Sequence, residues 1–489
     1  MLPGFVDSHT HRLSQRFKWG FETIGQASDE ALSQGWTSLT ELAVDQGTLS
    51  EFIEADEQGL LNIRVNCYLM VNSFEGESLG DWYQAYQPGQ QLSPHVRVAG
   101  LKIFIDFNSG RTWLWGQDEL NEFVQQRKEE GWQVTMKTIG IQSHKLALSA
   151  YEVALGSETN ESYRFRVEHS LGATDDQIAR MSEMGIIASI QPSFPGVIWH
   201  EQDICNLVDE QGQQNMFRWR DYLDAGIVSI ASPYTQDGVN QELTDASHVS
   251  PMGLLYRSLT QVGLGGGQPE SWMLEQSLAL EEILPMLTIN GAYATFLEGE
   301  IGSLAAGKLA DLVVLNEDPL ATPAEDLLNI DVLMSMVGGQ VEWCASEFET
   351  QCSSVSVAPV QQPTGQQGIS ASAWLSTDPP EQAFDGNPDA IWNSGDDAEQ
   401  WIQIDFGEAR TITEIKLTIA QYPEGETIHQ IWAGTSEQDL QLVYEFSRKT
   451  ADGDTLEFHP PDPLAGIRVV RIITPTSPSW VAWRELEIE

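Results

Sequence analysis

Between residues 29 and 290 short apolar runs alternate with longer stretches in which apolar positions recur every three or four residues. Runs of the first kind fit strands, and stretches of the second kind fit amphipathic helices. The strand runs are Thr37–Val44, Ile63–Val71, Val98–Asp106, Gln133–Thr138, Tyr163–His169, Ile186–Gln191 and Ile227–Ala231, and an opening run from Phe5 makes eight. Helical stretches such as Leu120–Glu130, His144–Leu155 and Asp175–Met184 fall between them, and several end at glycine before the next strand. This alternation predicts a (β/α)8 TIM barrel over residues 1–295.

The pattern then changes. Residues 353–368, rich in Ser, Val, Pro and Gln, read as a linker. From residue 369 to 489 apolar and polar positions alternate between Gly, Pro and Asp turns, as in Trp401–Phe406 and Thr413–Ile419, which predicts an antiparallel β-sandwich. A multidomain chain agrees with 489 residues, more than one core usually serves.

Charge narrows the partners. Seventy-two acidic residues against 25 basic ones give a formal charge of −47, which would repel nucleic acid phosphates and anionic lipid. A nucleic-acid partner is excluded, and the acidity, spread along the whole chain, reads as a solvated surface suited to a salty exterior. No apolar run approaches the roughly 20 residues of a membrane span. Cys344 and Cys352 lie close together in a polar stretch and are either a small disulfide loop or two free thiols, while Cys67 and Cys205 read as buried. A disulfide would imply an oxidising compartment. The sequence opens without a signal peptide, and an extracellular, cell-surface or periplasmic location is expected.

In such a barrel chemistry sits at the C-terminal ends of the strands. There the chain places His9 and His11, Glu41, Lys102 and Asp106, Lys137, Glu168 and His169, Gln191, and Ser232 with Pro233. Asp7, His9 and His11 fall on alternate positions of one strand, so the two imidazoles share a face about 6 to 7 Å apart and form a candidate metal clamp. Lys102 and Lys137 interrupt apolar strands in a lysine-poor chain, where an unpaired ammonium is costly. Each needs an ion-pair partner, with Asp106 and Glu168 as candidates, or a chemical change. A buried lysine loses its proton more readily, and its neutral amine can take up carbon dioxide to form a metal-bridging carbamate.

The run Pro-Gly-Phe-Val-Asp-Ser-His-Thr-His at Pro3–His11, the strand Leu101–Asp106, Arg-Val-Glu-His at Arg166–His169, and the closing segments Thr288–Ala294 and Ile301–Leu315 together resemble the amidohydrolase superfamily, in its N-substituted formamide deformylase-like branch. The resemblance runs from Pro3 to about Cys344 and implies that residues 296–352 form part of a small β-sandwich that follows the barrel. It implies metal-assisted hydrolysis of amide, cyclic amide or related C–N bonds in a small-molecule substrate, with a metal that acidifies bound water and polarises the carbonyl. Carried over by position, His9, His11 and Lys102 hold a first divalent ion, expected to be zinc, and Lys102 with His169 a second. An aspartate after the eighth strand normally shuttles the proton.

Two positions depart from the family pattern. Lys137 stands where a histidine is usual, and Ser232-Pro233 where Ser-Asp is usual, so Asp237, Asp245 or His248 must supply the shuttle and Lys137 stands in for the second cation. The segment between His11 and Lys102 is also shorter than in the branch, and the strand before Pro3 that completes the small sandwich in relatives is missing. Two readings stay open: a hydrolase with an altered site, using Lys137 and Asp237, or a barrel without catalysis that serves as a binding or scaffold protein.

In the tail, Ala383–Trp392, Gln400–Gly407 and Arg484–Ile488 resemble the discoidin, or factor 5/8 type C, family of carbohydrate- and surface-binding jelly rolls. The resemblance implies a glycan or cell-surface ligand and a structural calcium site, to which Asp385 and Asn387 are the candidate contributors, though a plain Asx turn fits them as well. Trp480 is the candidate for stacking on a sugar, and Trp392, Trp401 and Trp483 are expected in the core.

Overall fold

The computed structural model describes residues 1–19, 21–107, 112–192, 211–233, 250–262, 268–306, 308–354, 368–372, 378–384, 386–387, 390–395, 398, 400–421, 423–436 and 439–488. The chain divides into two compact units, Met1–Val357 and Ala358–Glu489.

The first unit is built on an eight-stranded, wholly parallel sheet whose strands lie side by side in chain order: Phe5–Thr10, Trp36–Val44, Arg64–Met70, Val96–Ile103, Val134–Ile139, Arg166–Leu171, Ile187–Ile190 and Ser229–Ala231. Strands buried on both faces read as near-continuous apolar runs, which is why the charged interruptions stood out. Helices Ile24–Ser33, Gln46–Glu57, Gln117–Glu129, Ile141–Leu155, Asp175–Met184 and Trp219–Asp224 lie between successive strands. In Ile24–Ser33 the buried Ile24, Ala27, Ala31 and Leu32 form one stripe, and Thr23 with Gln26 closes a capping box at its start. Thr174 and Gln177 do the same for Asp175–Met184, which stops at Gly185 in the left-handed conformation.

The sheet closes into a barrel through side and main chain instead of a ladder. Val6 N donates to Leu287 O at 2.8 Å on the first strand, and Asn290 Nδ2 donates to Ser229 O at 3.0 Å on the eighth. Gly291 sits between them, where a Cβ would lie 2.9 Å from both Ser8 Oγ and Val6 Cγ1.

A four-stranded antiparallel sheet accompanies the barrel, in the order Leu2–Pro3, Leu312–Leu315, Val332–Val337, Gln340–Cys344. Leu2–Pro3 pairs with Leu312–Val313, so the opening residues do supply a short strand that the family comparison led us to count as missing. Asp311 joins this sheet to the barrel by accepting two hydrogen bonds from Arg64 and one from Gly338 N. Cys344 and Cys352 are disulfide-bonded, and Cys67 is a buried thiol; Cys205 lies outside the described residues.

The second unit is an antiparallel sandwich. One sheet runs Gly368–Ala371, Gln400–Ile412, Leu464–Thr476, Gly425–Gly434, Gln441–Thr450, and the other Trp392–Asn393, Ala482–Ile488, Ile415–Ile419, Thr455–Phe458. Alternate residues such as Ile402, Ile404, Leu417, Ile431 and Ile472 meet between them with Trp392 and Trp483. Trp401, expected in the core, is only half-buried, because it faces outward beneath the Arg471 guanidinium, 4.5 Å from its ring centre.

Candidate functional site

The eight parallel strands aim the singled-out side chains at one end of the barrel. His9 lies in the first strand and His11 just beyond its end, Lys102 near the end of the fourth, Lys137 in the fifth, Glu168 and His169 in the sixth, and Gln191 directly after the seventh. His9, His11, Lys102, Lys137 and His169 are all 5% exposed or less. The His9 ring centre is 5.6 Å from that of His11 and 4.7 Å from that of His169, so three imidazoles from two strands converge.

Their hydrogen bonds fix how the rings face. His9 Nδ1 donates to Glu168 Oε2 at 2.5 Å, and His169 Nδ1 donates to Gln191 Oε1 at 2.8 Å. Each acceptor is an oxygen without a proton, which makes Nε2 the nitrogen that carries the lone pair. Burial lowers the His9 pKa to about 4 despite the neighbouring Glu168 carboxylate, and burial, helped by the Lys102 and Lys137 side chains, keeps His169 well below the usual range. Both imidazoles are therefore neutral at physiological pH.

Around Glu168 the network is dense. Its Oε1 accepts from Thr135 Oγ1 and Arg166 Nε, and Arg166 Nη2 donates to Ser8 O at 2.7 Å. Burial acts to raise the Glu168 pKa, but Arg166, His9 and Lys102 outweigh it and hold the carboxyl well below its ordinary value. Glu168 thus braces the first strand against the sixth. At the other side of His11, Glu41 accepts from Leu13 N at 2.6 Å and Ser14 Oγ at 2.7 Å and so fixes the turn that follows the histidine pair. His169 and Ser170 have φ of 71° and 46°, a strained backbone of the kind that collects at functional sites.

The two lysines diverge in their surroundings. Lys137 Nζ is paired with Asp106 Oδ1, and Ser143 Oγ donates to Asp106 Oδ2 at 2.5 Å. Lys102 Nζ is buried and has no hydrogen-bond partner among the described residues. Burial pushes its pKa down to about 7, so a neutral amine is accessible there.

Pro233 is buried just after the eighth strand, at the position where the family pattern has a proton-carrying aspartate. Asp237, Asp245, His248 and Asp385 lie outside the described residues. Asn387 is exposed on a turn, and Trp480 is 39% exposed on the loop between the two final strands. Ser143 and Asn72, whose side chains tie the loops around the lysines, escaped the sequence reading because nothing in their spacing marks them.

An amidohydrolase family model matches residues 21–342, and an F5/8 type C domain model matches residues 366–486. The chain is 26% identical over 233 residues to N-substituted formamide deformylase of Arthrobacter pascens, covering 47% of this chain and 40% of that protein. It is 23% identical over 349 residues to protein LONG AFTER FAR-RED 3 of Arabidopsis thaliana, covering 65% and 56%. The chain spans about half the length of the curated relatives it matches. An uncharacterized metal-dependent hydrolase from Pyrococcus horikoshii shares the fold with a TM-score of 0.51 at 19% identity, over 62% of this chain and 60% of that one.

Proposed function

The chain belongs to the amidohydrolase family, and from that premise we propose that its barrel is a metal-dependent hydrolase of carbon–nitrogen bonds, acting on an amide, cyclic amide or formamide-like small molecule. The observation that carries this reading is the buried convergence of His9, His11 and His169 beside a Lys102 Nζ that no described residue satisfies. Such a set fits a divalent metal. Two imidazoles are oriented through Nδ1 by oxygen acceptors, as metal-ligating histidines usually are, and an amine near neutrality can form a carbamate that supplies oxygen donors. Nitrogen and carboxylate-type donors together suit zinc.

His9, His11, His169 and the Lys102 carbamate would hold the ion. When bound, it would acidify a water and polarise the substrate carbonyl. The chain's own groups do the rest. Glu168 and Gln191 hold the imidazoles in one tautomer, and Arg166 keeps Glu168 ionised. Lys137, fixed by Asp106, puts a buried positive charge where the family has a histidine ligand, which favours one ion over two. Its Nζ proton is the one suited to protonate the leaving nitrogen, and Asp237 is our candidate for accepting the proton of the water.

The F5/8 type C domain supports a second role in attachment. We assign glycan contact to Trp480, whose ring is exposed on a loop, and structural calcium to Asp385 and Asn387. The disulfide Cys344–Cys352 supports an oxidising location, extracellular, cell-surface or periplasmic. One observation favours the competing reading of a binding protein without catalysis: the buried Pro233 can neither ligate nor carry a proton.

Elemental analysis of the purified protein beside His9→Ala and Lys102→Ala decides between them. The hydrolase reading expects about one divalent metal per wild-type chain, lost in both variants. A wild type that stays metal-free after zinc and bicarbonate are supplied overturns it.

A further inference from the structure

Three phenylalanines stand at the rim beside the two lysines. Phe74 lies on the loop after the third barrel strand, and Phe104 and Phe107 follow the fourth. Phe74 meets Phe104 edge-on with ring centres 5.4 Å apart, and meets Phe107 in the same way at 5.3 Å. Phe104 is buried, whereas Phe74 keeps 40% of its surface exposed.

An exposed ring is ordinary when it stands alone on a surface. Phe74 does not stand alone, and its loop is braced. The buried Asn72 accepts from Phe104 N at 3.1 Å and donates to Phe104 O at 2.9 Å, which ties the loop after the third strand to the segment after the fourth. The rings also border the candidate centre. Lys102 Nζ lies 5.4 Å from the Phe104 ring centre, and Lys137 Nζ lies 5.8 Å from that of Phe74, both within cation–π range.

We infer that Phe74 is a specificity-determining residue of this site, its open face receiving an uncharged aromatic or bulky apolar substituent that the substrate carries next to the bond to be cut. The inference rests on the hydrolase reading above. A cationic substituent would be set against the Lys137 ammonium beside Phe74. An anionic one would find Lys137 already committed to Asp106. A neutral ring, by contrast, extends an edge-to-face cluster that Phe104 and Phe107 have begun. Because Asn72 fixes the loop beforehand, little ordering is needed when the substrate binds.

The test uses the full chain loaded with zinc and two probes that share a head group, N-(2-phenylethyl)formamide and N-ethylformamide. Phe74→Ala is expected to lower the phenylethyl-to-ethyl ratio of kcat/KM by about tenfold or more, mainly through KM, with Phe74→Leu falling between. An unchanged ratio, or an equal loss on both probes, overturns the inference, provided the variant's metal content matches wild type. If wild type hydrolyses neither probe, the hydrolase reading is decided by the metal analysis above, and Phe74 is judged by calorimetric binding of the phenylethyl probe. There, affinity about tenfold weaker in Phe74→Ala supports the assignment. Equal affinity, or no binding to wild type, overturns it.

Discussion

The barrel and the C-terminal sandwich have cores of similar apolar composition but differ in what else they bury. The barrel interior holds Lys102, Lys137, Asp106, Arg166 and Glu168 together with His9, His11 and His169, all 5% exposed or less. Among the described residues of the sandwich the buried polar side chains are Ser, Thr, Gln, one histidine and Glu485, while pairs such as Arg468–Asp405, Lys416–Glu487 and Arg484–Asp452 stay at the surface. Burying a charge costs several kcal/mol before its partner offsets it, so a fold with no use for buried charge leaves it outside. On the proposed reading, the difference puts chemistry inside the barrel and leaves recognition to the loops of the sandwich.

The strongest way to break this contrast is to remove a barrel carboxylate. Glu168→Ala strips the partner from Arg166 and His9 in a fully buried setting, and an uncompensated buried charge typically costs about 3–5 kcal/mol. Hydrogen exchange across denaturant should show that loss in the barrel strands. A loss below about 1 kcal/mol, the value of a surface pair, would mean that the barrel network is no more consequential than Arg484–Asp452.

The sandwich has one buried group to test in the same way. His429 donates or accepts through Nδ1 with Thr474 Oγ1 at 2.9 Å, packs edge-on against Trp483, and has its pKa lowered by burial from 6.5 to about 4. A histidine with a depressed folded pKa binds its proton first in the unfolded chain as pH falls. Its penalty is therefore absent above about pH 6.5 and grows as pH drops toward 4, to ~3 kcal/mol at about 1.4 kcal/mol per unit. Urea unfolding of the sandwich strands at pH 7 and pH 4.5 should show this fall in wild type and a shallower one in His429→Phe. Parallel slopes in the two proteins would assign the pH dependence elsewhere.

How much of this was legible beforehand follows from where the information lies. Strand and helix positions repeat a local period, so all eight barrel strands and the helix Asp175–Met184 could be read from neighbouring residues. A charge in an apolar strand is also a local signal, which is why Lys102, Lys137 and His9 could be picked out. What joins them is not local. His9 meets Glu168 across 159 positions, Asp106 reaches Lys137 across 31 and Ser143 across 37, and no period in the chain encodes those distances. Trp401 failed for a related reason: alternation tells which residues share a face, and only the sandwich decides which face an arginine covers.

The smallest stability effect belongs to the residue on which the tail's proposed function depends most. Trp480 is 39% exposed on the loop joining Leu464–Thr476 to Ala482–Ile488, at the end of the sandwich where Arg484 meets Asp452. A ring so placed adds little to the core, and Trp480→Ala is expected to change the unfolding free energy by no more than about 0.5 kcal/mol. If that ring stacks on a sugar, the same change should weaken retention on immobilised glycans by about tenfold, since a stacking aromatic commonly contributes ~1 kcal/mol or more. A large stability loss would make Trp480 a core residue, and unchanged retention would move recognition to another loop. Stability and binding can be separated at this residue because its exposed face has no part in holding the two sheets together. Glu168 offers no such separation, since one carboxylate both orients His9 and balances Arg166.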